Sequence, residues 1–315
     1  FIKWEETSTM NLALDFGLFN NRIAGTVEVY HRVTNDLLNE VNVASGSNFS
    51  NRLMTNVGNM EIDGIELNLE LIPISTKDMN LTLGFNGTYN KIEVTRLLLT
   101  DDPTYIGILS GSSFSGYNQI TRVGSSRNAF FLNKQVYDQD DNPIEGMYVD
   151  LSGEGGTVNG DDNDKYIVEK PDPDFMFGFS ARFSYKGFDV AASARASVGN
   201  YVLNMVQAGS SLNQMYQIGY WKNYTSQLDE YQFIKRQFTS DYFLENASFL
   251  KVDNISAGYT IPKITDKLNA RISFSVQNAL TITKYSGIDP EINGGIDNNF
   301  YPRPRTFMLG VSLTY

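Results

Sequence analysis

Apolar and polar positions alternate with a two-residue period along most of this chain, the pattern of extended strands that show one apolar and one polar face. In residues 9–17, Met10, Leu12, Leu14 and Phe16 oppose Asn11, Ala13, Asp15 and Gly17. In 22–34, Ile23, Val27 and Val29 oppose Thr26, Glu28, Tyr30 and Arg32, and in 62–72, Ile65, Leu67, Leu69 and Leu71 oppose Glu66, Asn68 and Glu70. The same period runs through 79–92, 175–186, 188–199, 249–261, 270–280 and 304–315, so nine strands are predicted. Many reach ten residues, beyond the ~5–6 usual in globular proteins and matching the ~9–11 tilted residues that cross a bilayer. Leu67, Leu83, Phe179, Val190, Phe274 and Leu309 are expected on the lipid side, and Asn68, Thr82, Ser180, Ser193, Ser275 and Met308 on the lumen side.

Periodicity alone also suits a β-sandwich, and the connections separate the two. Counting back from the last strand, 281–303 is long and 262–269 short, 200–248 is long and Gly187 is nearly the whole turn. Then 95–174 is very long, 73–78 short, 35–61 long, and Leu18 to Asn21 tight. Outer-membrane barrels have short periplasmic turns and long extracellular loops. The expected fold is therefore all-β, an antiparallel transmembrane β-barrel with long extracellular loops. Nine is odd, whereas bacterial single-chain barrels have even strand numbers and no free edge in lipid. The chain is thus expected to be the carboxy-terminal part of a larger barrel, a fragment or processed product.

Composition narrows the function. With 25 basic and 36 acidic side chains the formal charge is −11, which disfavours a nucleic-acid partner. No apolar run approaches the ~20 residues of a membrane helix. One histidine, His31, and no cysteine leave little for acid–base or nucleophilic chemistry, and no Gly-x-Ser-x-Gly elbow is present, so no enzyme and no cofactor are expected.

Several motifs, in order, resemble the carboxy-terminal part of SusC-like TonB-dependent transporters of the Bacteroidetes outer membrane. They include Lys3-Trp4-Glu5, Asn21-Arg22-Ile23-Ala24-Gly25, Val29-Tyr30-His31-Arg32 and Asn56-Val57-Gly58 before Gly64-Ile65-Glu66. Later come Pro171-Asp172-Pro173-Asp174-Phe175, Ser248-Phe249-Leu250-Lys251, Gln277-Asn278-Ala279-Leu280, Asp289-Pro290-Glu291 and Tyr301-Pro302-Arg303. The resemblance implies a large barrel plugged by an upstream domain, capped by a SusD-like lipoprotein lid, and energised by the TonB complex through that upstream region. Outer-membrane lipid and an oligosaccharide or peptide substrate are the further partners it implies. The whole of residues 1–315 is then barrel, with the plug and earlier strands outside it.

The alternating end of the chain, with Gly310, Leu313 and the aromatic Tyr315, resembles the assembly signal of such barrels. In the 200–248 loop, Tyr216, Tyr220, Trp221 and Tyr224, flanked by Tyr201 and Tyr231, are candidate stacking surfaces for a ligand, against a plainer role in packing the loop. Family members often carry an Asp-x-Asn-Gly-Asp-Gly-like calcium run near 150–164. Here Asp150-Leu-Ser-Gly-Glu-Gly-Gly lacks the intermediate oxygen ligands, so a solvated acidic loop without metal is expected. His31 is expected at the membrane interface, and Arg182, Arg195 and Arg271 on the lumen side, where such residues line a solute path or, more often, pair with carboxylates across the ladder. The competing reading is a secreted β-sandwich that binds glycans without transport.

Overall fold

A computed structural model describes residues 2–43, 46, 49–50, 52–98, 105–113, 116–155, 162–217, 225–265 and 268–314. Nine long strands make one sheet: β1 (Glu6–Leu18), β2 (Ile23–Asn42), β3 (Arg52–Ser75), β4 (Met79–Arg96), β5 (Phe175–Tyr185), β6 (Phe188–Val198), β7 (Phe249–Thr265), β8 (Leu268–Thr283) and β9 (Thr306–Thr314). Each pairs antiparallel with its neighbour in sequence, and β1 and β9 form the two edges of the sheet.

The register joins the strands' apolar faces into one surface. A single row runs Phe16, Gly25, Leu69, Phe85, Phe179, Ala194, Val252 and Leu280. Rings crowd along it, with Phe85 and Phe179 5.2 Å apart and Tyr89 and Phe175 5.0 Å apart. The neighbouring row, Asp15, Thr26, Asn68, Asn86, Gly178, Arg195, Lys251 and Thr281, is polar. All six residues expected on the lipid side share the apolar face, and all six expected toward the lumen share the polar one. Phe179, Val190, Phe274 and Leu309 stay exposed, and among the described residues no second sheet covers them. A sandwich needs such a cover, so the secreted-sandwich alternative does not describe this fold.

Every short connection lies at one end. Phe19, Asn20 and Asn21 turn β1 into β2 with all three φ angles between 55 and 62°, a conformation that asparagine tolerates better than most residues. Lys186 N–H donates to Asp78 O (2.7 Å) and Thr260 N–H to Gly187 O (2.8 Å), so these turns sit side by side. One expected loop is corrected. Residues 35–61 are mostly strand, because β2 and β3 stay paired out to Asn42 and Arg52 and leave only 43–51 as connection. The alternation fails there because Asp36, at φ 60°, sits in a bulge that shifts the register between Thr34 and Leu37.

At the other end the loops fold on one another. Ala129–Asn133 is buried throughout and belongs to a four-stranded sheet with Ile108–Ser113, Gly116–Thr121 and Lys165–Ile167. Tyr201–Asn204 pairs with Leu244–Asn246 on one side and, in parallel, with Ile296–Asp297 on the other. Phe130, Leu132, Leu203, Met205, Leu228, Phe233 and Phe243 form the main core, which therefore lies among the loops and not inside the wall.

Candidate functional site

The loop end of the polar face is where the structure concentrates paired charge and burial. Three connections converge there. Gly295 has φ 75°, and a Cβ at that position would lie 2.5 Å from Pro171 and 2.8 Å from the Phe130 ring. Only a glycine lets the last loop pass so close to the 97–174 connection. Gln119 Nε2 donates to Gly294 O (2.7 Å), and Tyr166 donates its hydroxyl to Asp241 (2.7 Å). Burial, with the Asp241 carboxylate second, pushes the Tyr166 hydroxyl well above the ordinary tyrosine range, so this strut stays protonated. Tyr285 is fixed in the same way: it donates to Asp297 Oδ2 (2.7 Å) and packs on Val202 and Ala247, and burial raises its pKa too.

An ion cluster ties the last loop to the wall. Lys251 of β7, only 2% exposed, donates to Asp289 Oδ1 (2.6 Å) and Glu291 Oε2 (3.1 Å). Arg195 of β6 grips Glu291 through both terminal nitrogens and Asp253 through Nε (3.0 Å). Arg303 closes on Glu291 at 3.1 Å, and the Phe249 ring lies 5.2 Å from the Lys251 ammonium. A bulge makes this possible. Ser193 pairs with Asn254 but Ala194 pairs with Val252, so Asp253 is the extra residue and its carboxylate turns toward Arg195.

Burial raises the Glu291 carboxyl, but hydrogen bonds from Arg195 and then Lys251 outweigh it and bring the pKa down from 4.5 to about 2. A carboxylate lowered by folding contributes stability that is whole above its unfolded pKa and lost as pH falls through the folded one. The 284–305 loop should therefore hold at pH 5 and loosen progressively between about 4.5 and 2. Limited pepsin digestion across that range, with cleavage sites mapped, checks this; equal protection at pH 2.5 and 5 would mean that Glu291 does not anchor the loop.

Lower on the polar face, Arg271 of β8 reaches across β7 to Asp189 of β6 and binds it with both terminal nitrogens. Gly258 lies between them, and a Cβ there would meet the Arg271 guanidinium carbon at 2.6 Å. The expected carboxylate pairing thus holds for Arg195 and Arg271, and Arg182 occupies the same face. His31 lies on the apolar face, where the belt gives way to charge, and its Nδ1 is 2.8 Å from Asp63 Oδ1.

Tyr216 falls in the short helix Leu212–Gln217, while Tyr220, Trp221, Tyr224 and the terminal Tyr315 lie outside the described residues. Of the two tyrosines that flank them, Tyr231 is buried in the loop core with its hydroxyl on Gln207 O, and Tyr201 packs against that core, so both take the plainer role of structuring the loop. Gly310 and Leu313 lie on edge strand β9, on its polar and apolar faces respectively. In the acidic loop, Asp150 accepts backbone N–H groups from Gly153 and Gly155, and Asp164 accepts those of Leu151 and Ser152. These amide bonds, Gly155 first, hold the Asp150 carboxyl below its usual range.

Sequence reasoning missed a cavity of about 160 Å³ between the 200–248 and 284–305 segments, lined among others by Asn204, Gln207, Ser286, Ile288, Asn299 and Phe300. It also missed the Lys251 cluster.

A family profile described as "TonB dependent receptor-like, beta-barrel" matches residues 1–279. The chain belongs to this family. TonB-dependent receptor-like barrels of this kind sit in the outer membrane, so the apolar face of the sheet meets lipid. The chain is 39% identical to the TonB-dependent receptor SusC of Bacteroides thetaiotaomicron, over 100% of this chain and 32% of that protein. It is 29% identical to the TonB-dependent receptor P3 of Formosa agariphila, over 100% of this chain and 34% of that one. Among solved structures, the RagAB peptide importer in its open-open state superposes with a TM-score of 0.76 and 26% identity, covering 100% of this chain and 35% of the matched one. This TonB-dependent receptor chain thus spans about a third of the length of the relatives it matches. The resemblance drawn from the motifs is borne out.

Proposed function

We propose that residues 1–315 are the carboxy-terminal part of the barrel of an active importer, which takes up oligosaccharides or peptides beneath a SusD-like surface lipoprotein. The plug and earlier strands would lie upstream, and TonB would act through them. The observation that carries this reading is the division of the wall: one face is apolar across all nine strands, and the other meets a packed crown of loops at a single end. Whole-chain similarity to SusC supports it, as does the likeness to a structure titled as a peptide importer. Its chemistry is non-covalent: hydrogen-bonding and aromatic side chains on a wet surface. His31, the single histidine, faces Asp63 on the outer surface, away from the loop cavity, so the crown holds no histidine to serve as acid or base.

The test is deletion of residues 218–224 from the full-length receptor. Lid pull-down or substrate capture should fall while the barrel keeps its heat-dependent gel mobility. The deleted stretch carries Tyr220, Trp221 and Tyr224, assigned by this reading to lid or substrate contact, and unchanged lipoprotein association, substrate affinity and uptake would overturn that assignment.

A further inference from the structure

The apolar face of the wall is not evenly filled. Ala181 of β5 lies opposite Ala192 of β6, and Ala194 follows two residues on, opposite Phe179. Leu83 and Phe85 of β4 flank them on one side and Val252 of β7 on the other. The three methyl groups floor an apolar recess of about 430 Å³ between these longer side chains. Ser180 and Ser193 border it, but their side chains belong to the polar face.

Below the recess, toward the short turns, lies a belt of rings. Phe188 and Tyr259 have ring centres 4.3 Å apart, and the Lys186 ammonium is 5.2 Å from the centre of the Tyr185 ring. Lys186 is exposed and takes no carboxylate among the described residues. Its N–H joins the neighbouring turn through Asp78 O (2.7 Å), and that turn carries the exposed Lys77. The short returns 19–22, 73–78, 186–187 and 262–267 together hold Arg22, Lys77, Lys186, Lys263 and Lys267 against Asp78 and Asp266. This end is thus basic in sequence, although the chain as a whole carries −11.

We propose that the recess and the turns beneath it form a seat for one anionic glycerophospholipid of the inner leaflet. Its phosphate lies beside Lys186 and Lys77, and the far half of one acyl chain covers Ala192 and Ala194. The seat follows from the wall's place in the membrane and is independent of what the receptor imports. Depth supports it. Ala181 is five residues from Lys186, about 17 Å along a strand at ~3.4 Å per residue and about 13 Å along the membrane normal at a tilt of ~40°. Half of an apolar band ~25 Å tall is nearly the same distance, so a chain anchored at Lys186 ends at the alanines. Filling supports it too. Water is excluded at that depth, and a recess left empty would cost its lining the contacts that a flexible tail supplies. Lipid tails are as apolar as the wall, so the preference for this place comes from shape and from the headgroup charge. Lysines attract an anionic headgroup within about a Debye length. The same basic end disfavours a second receptor copy here, because side by side in one membrane the two would meet with like charge.

The experiment uses the full-length receptor in detergent, with phosphatidylglycerol that carries a photoactivatable diazirine near the end of one chain. Cross-links mapped by mass spectrometry are expected to concentrate in Phe188–Val198 and Phe249–Thr265. Unlabelled phosphatidylglycerol should compete, and phosphatidylcholine, with the same phosphate but no net charge, should compete about fivefold less well. Lys186→Ala is expected to weaken labelling about fivefold, the factor that one lysine supplies beside an anionic headgroup. Ala192→Phe fills the recess from outside the wall and should weaken labelling about tenfold through lost contacts. Val311→Phe, on the same face of β9, should leave it unchanged. Heat-dependent gel mobility checks that each variant is folded, and Ala192→Leu takes the place of Ala192→Phe if that variant loses it. Labelling spread evenly over the outer face, or indifferent to the Lys186 and Ala192 variants, overturns the seat. Cross-links from this patch to a second receptor copy, or preferential labelling by a lipid A probe of the outer leaflet, assign the recess to another occupant and overturn it equally.

Discussion

Lys251→Ala in the full-length receptor is expected to release the last loop from the barrel mouth. The ammonium is 2% exposed and holds two carboxylates, Asp289 and Glu291. Removing one partner of a buried pair costs roughly 3–5 kcal/mol, because the remaining charge keeps its desolvation penalty. Asp289 and Glu291 are 18 and 27% exposed, and Glu291 keeps Arg195 and Arg303, which places the cost near the lower limit. About 3 kcal/mol is a little over a hundredfold in an opening equilibrium. Amide exchange across 284–305 should accelerate by about that factor. Strands β1–β4, which among the described residues share no ion pair or hydrogen bond with the cluster, should be unaffected. Unchanged exchange in the loop would show that the hydrophobic contacts of Tyr285 and Ile292 hold it without the ions.

The second large effect concerns the outer face. Phe274 sits between Ala257 and Leu309 in the apolar belt and is 47% exposed to what is, in the membrane, lipid. An arginine near the bilayer midplane costs about 2–4 kcal/mol. Phe274→Arg should lower the outer-membrane level of the receptor and its resistance to urea. Ser275→Arg, one residue along on the polar face, should cost far less, because that side chain points into the lumen. Equal losses from both substitutions would overturn the assignment of faces.

The wall was legible in the sequence because half-buried strands in a two-sided environment must alternate, and because each strand pairs with its successor. Where the alternation slips, the reading failed. Asp36 sits in a bulge, so the continuation of β2 and β3 beyond it read as loop. The slip between Val252 and Ile255 was visible as two polar residues in succession, Asp253 and Asn254, and it marks the bulge that builds the ion cluster. The partners of that cluster could not be found by spacing: Lys251 and Glu291 lie 40 positions apart, and Arg195 and Glu291 lie 96 apart. Short strands such as Ala129–Asn133, buried on every side, have no polar face and hence no period. Tyr231 supplies the loop core, the plainer of the two roles open to the loop aromatics, whereas the exposed Phe300 lines a cavity made by two segments distant in sequence.

The two free edges of the sheet set the order in which such a barrel can form. Strands β1 and β9 run in the same direction, since seven alternating strands lie between them. Antiparallel neighbours on both edges then require an odd number of further strands to complete the ring. Four ladders in this wall, β1–β2, β3–β4, β5–β6 and β7–β8, join strands linked by short turns, whereas β4–β5 and β6–β7 are divided by long loop excursions. If residues 1–315 close the barrel, as proposed, the seam at β9 differs, because its partner would be an upstream strand distant in sequence. Loop-closure entropy makes contacts between distant segments slow to form. The hairpins described here can therefore zip early, and the seam is left for last. Until it closes, β9 exposes a row of unpaired amides, and that interval is when the receptor is most open to mispairing and most dependent on whatever holds that edge.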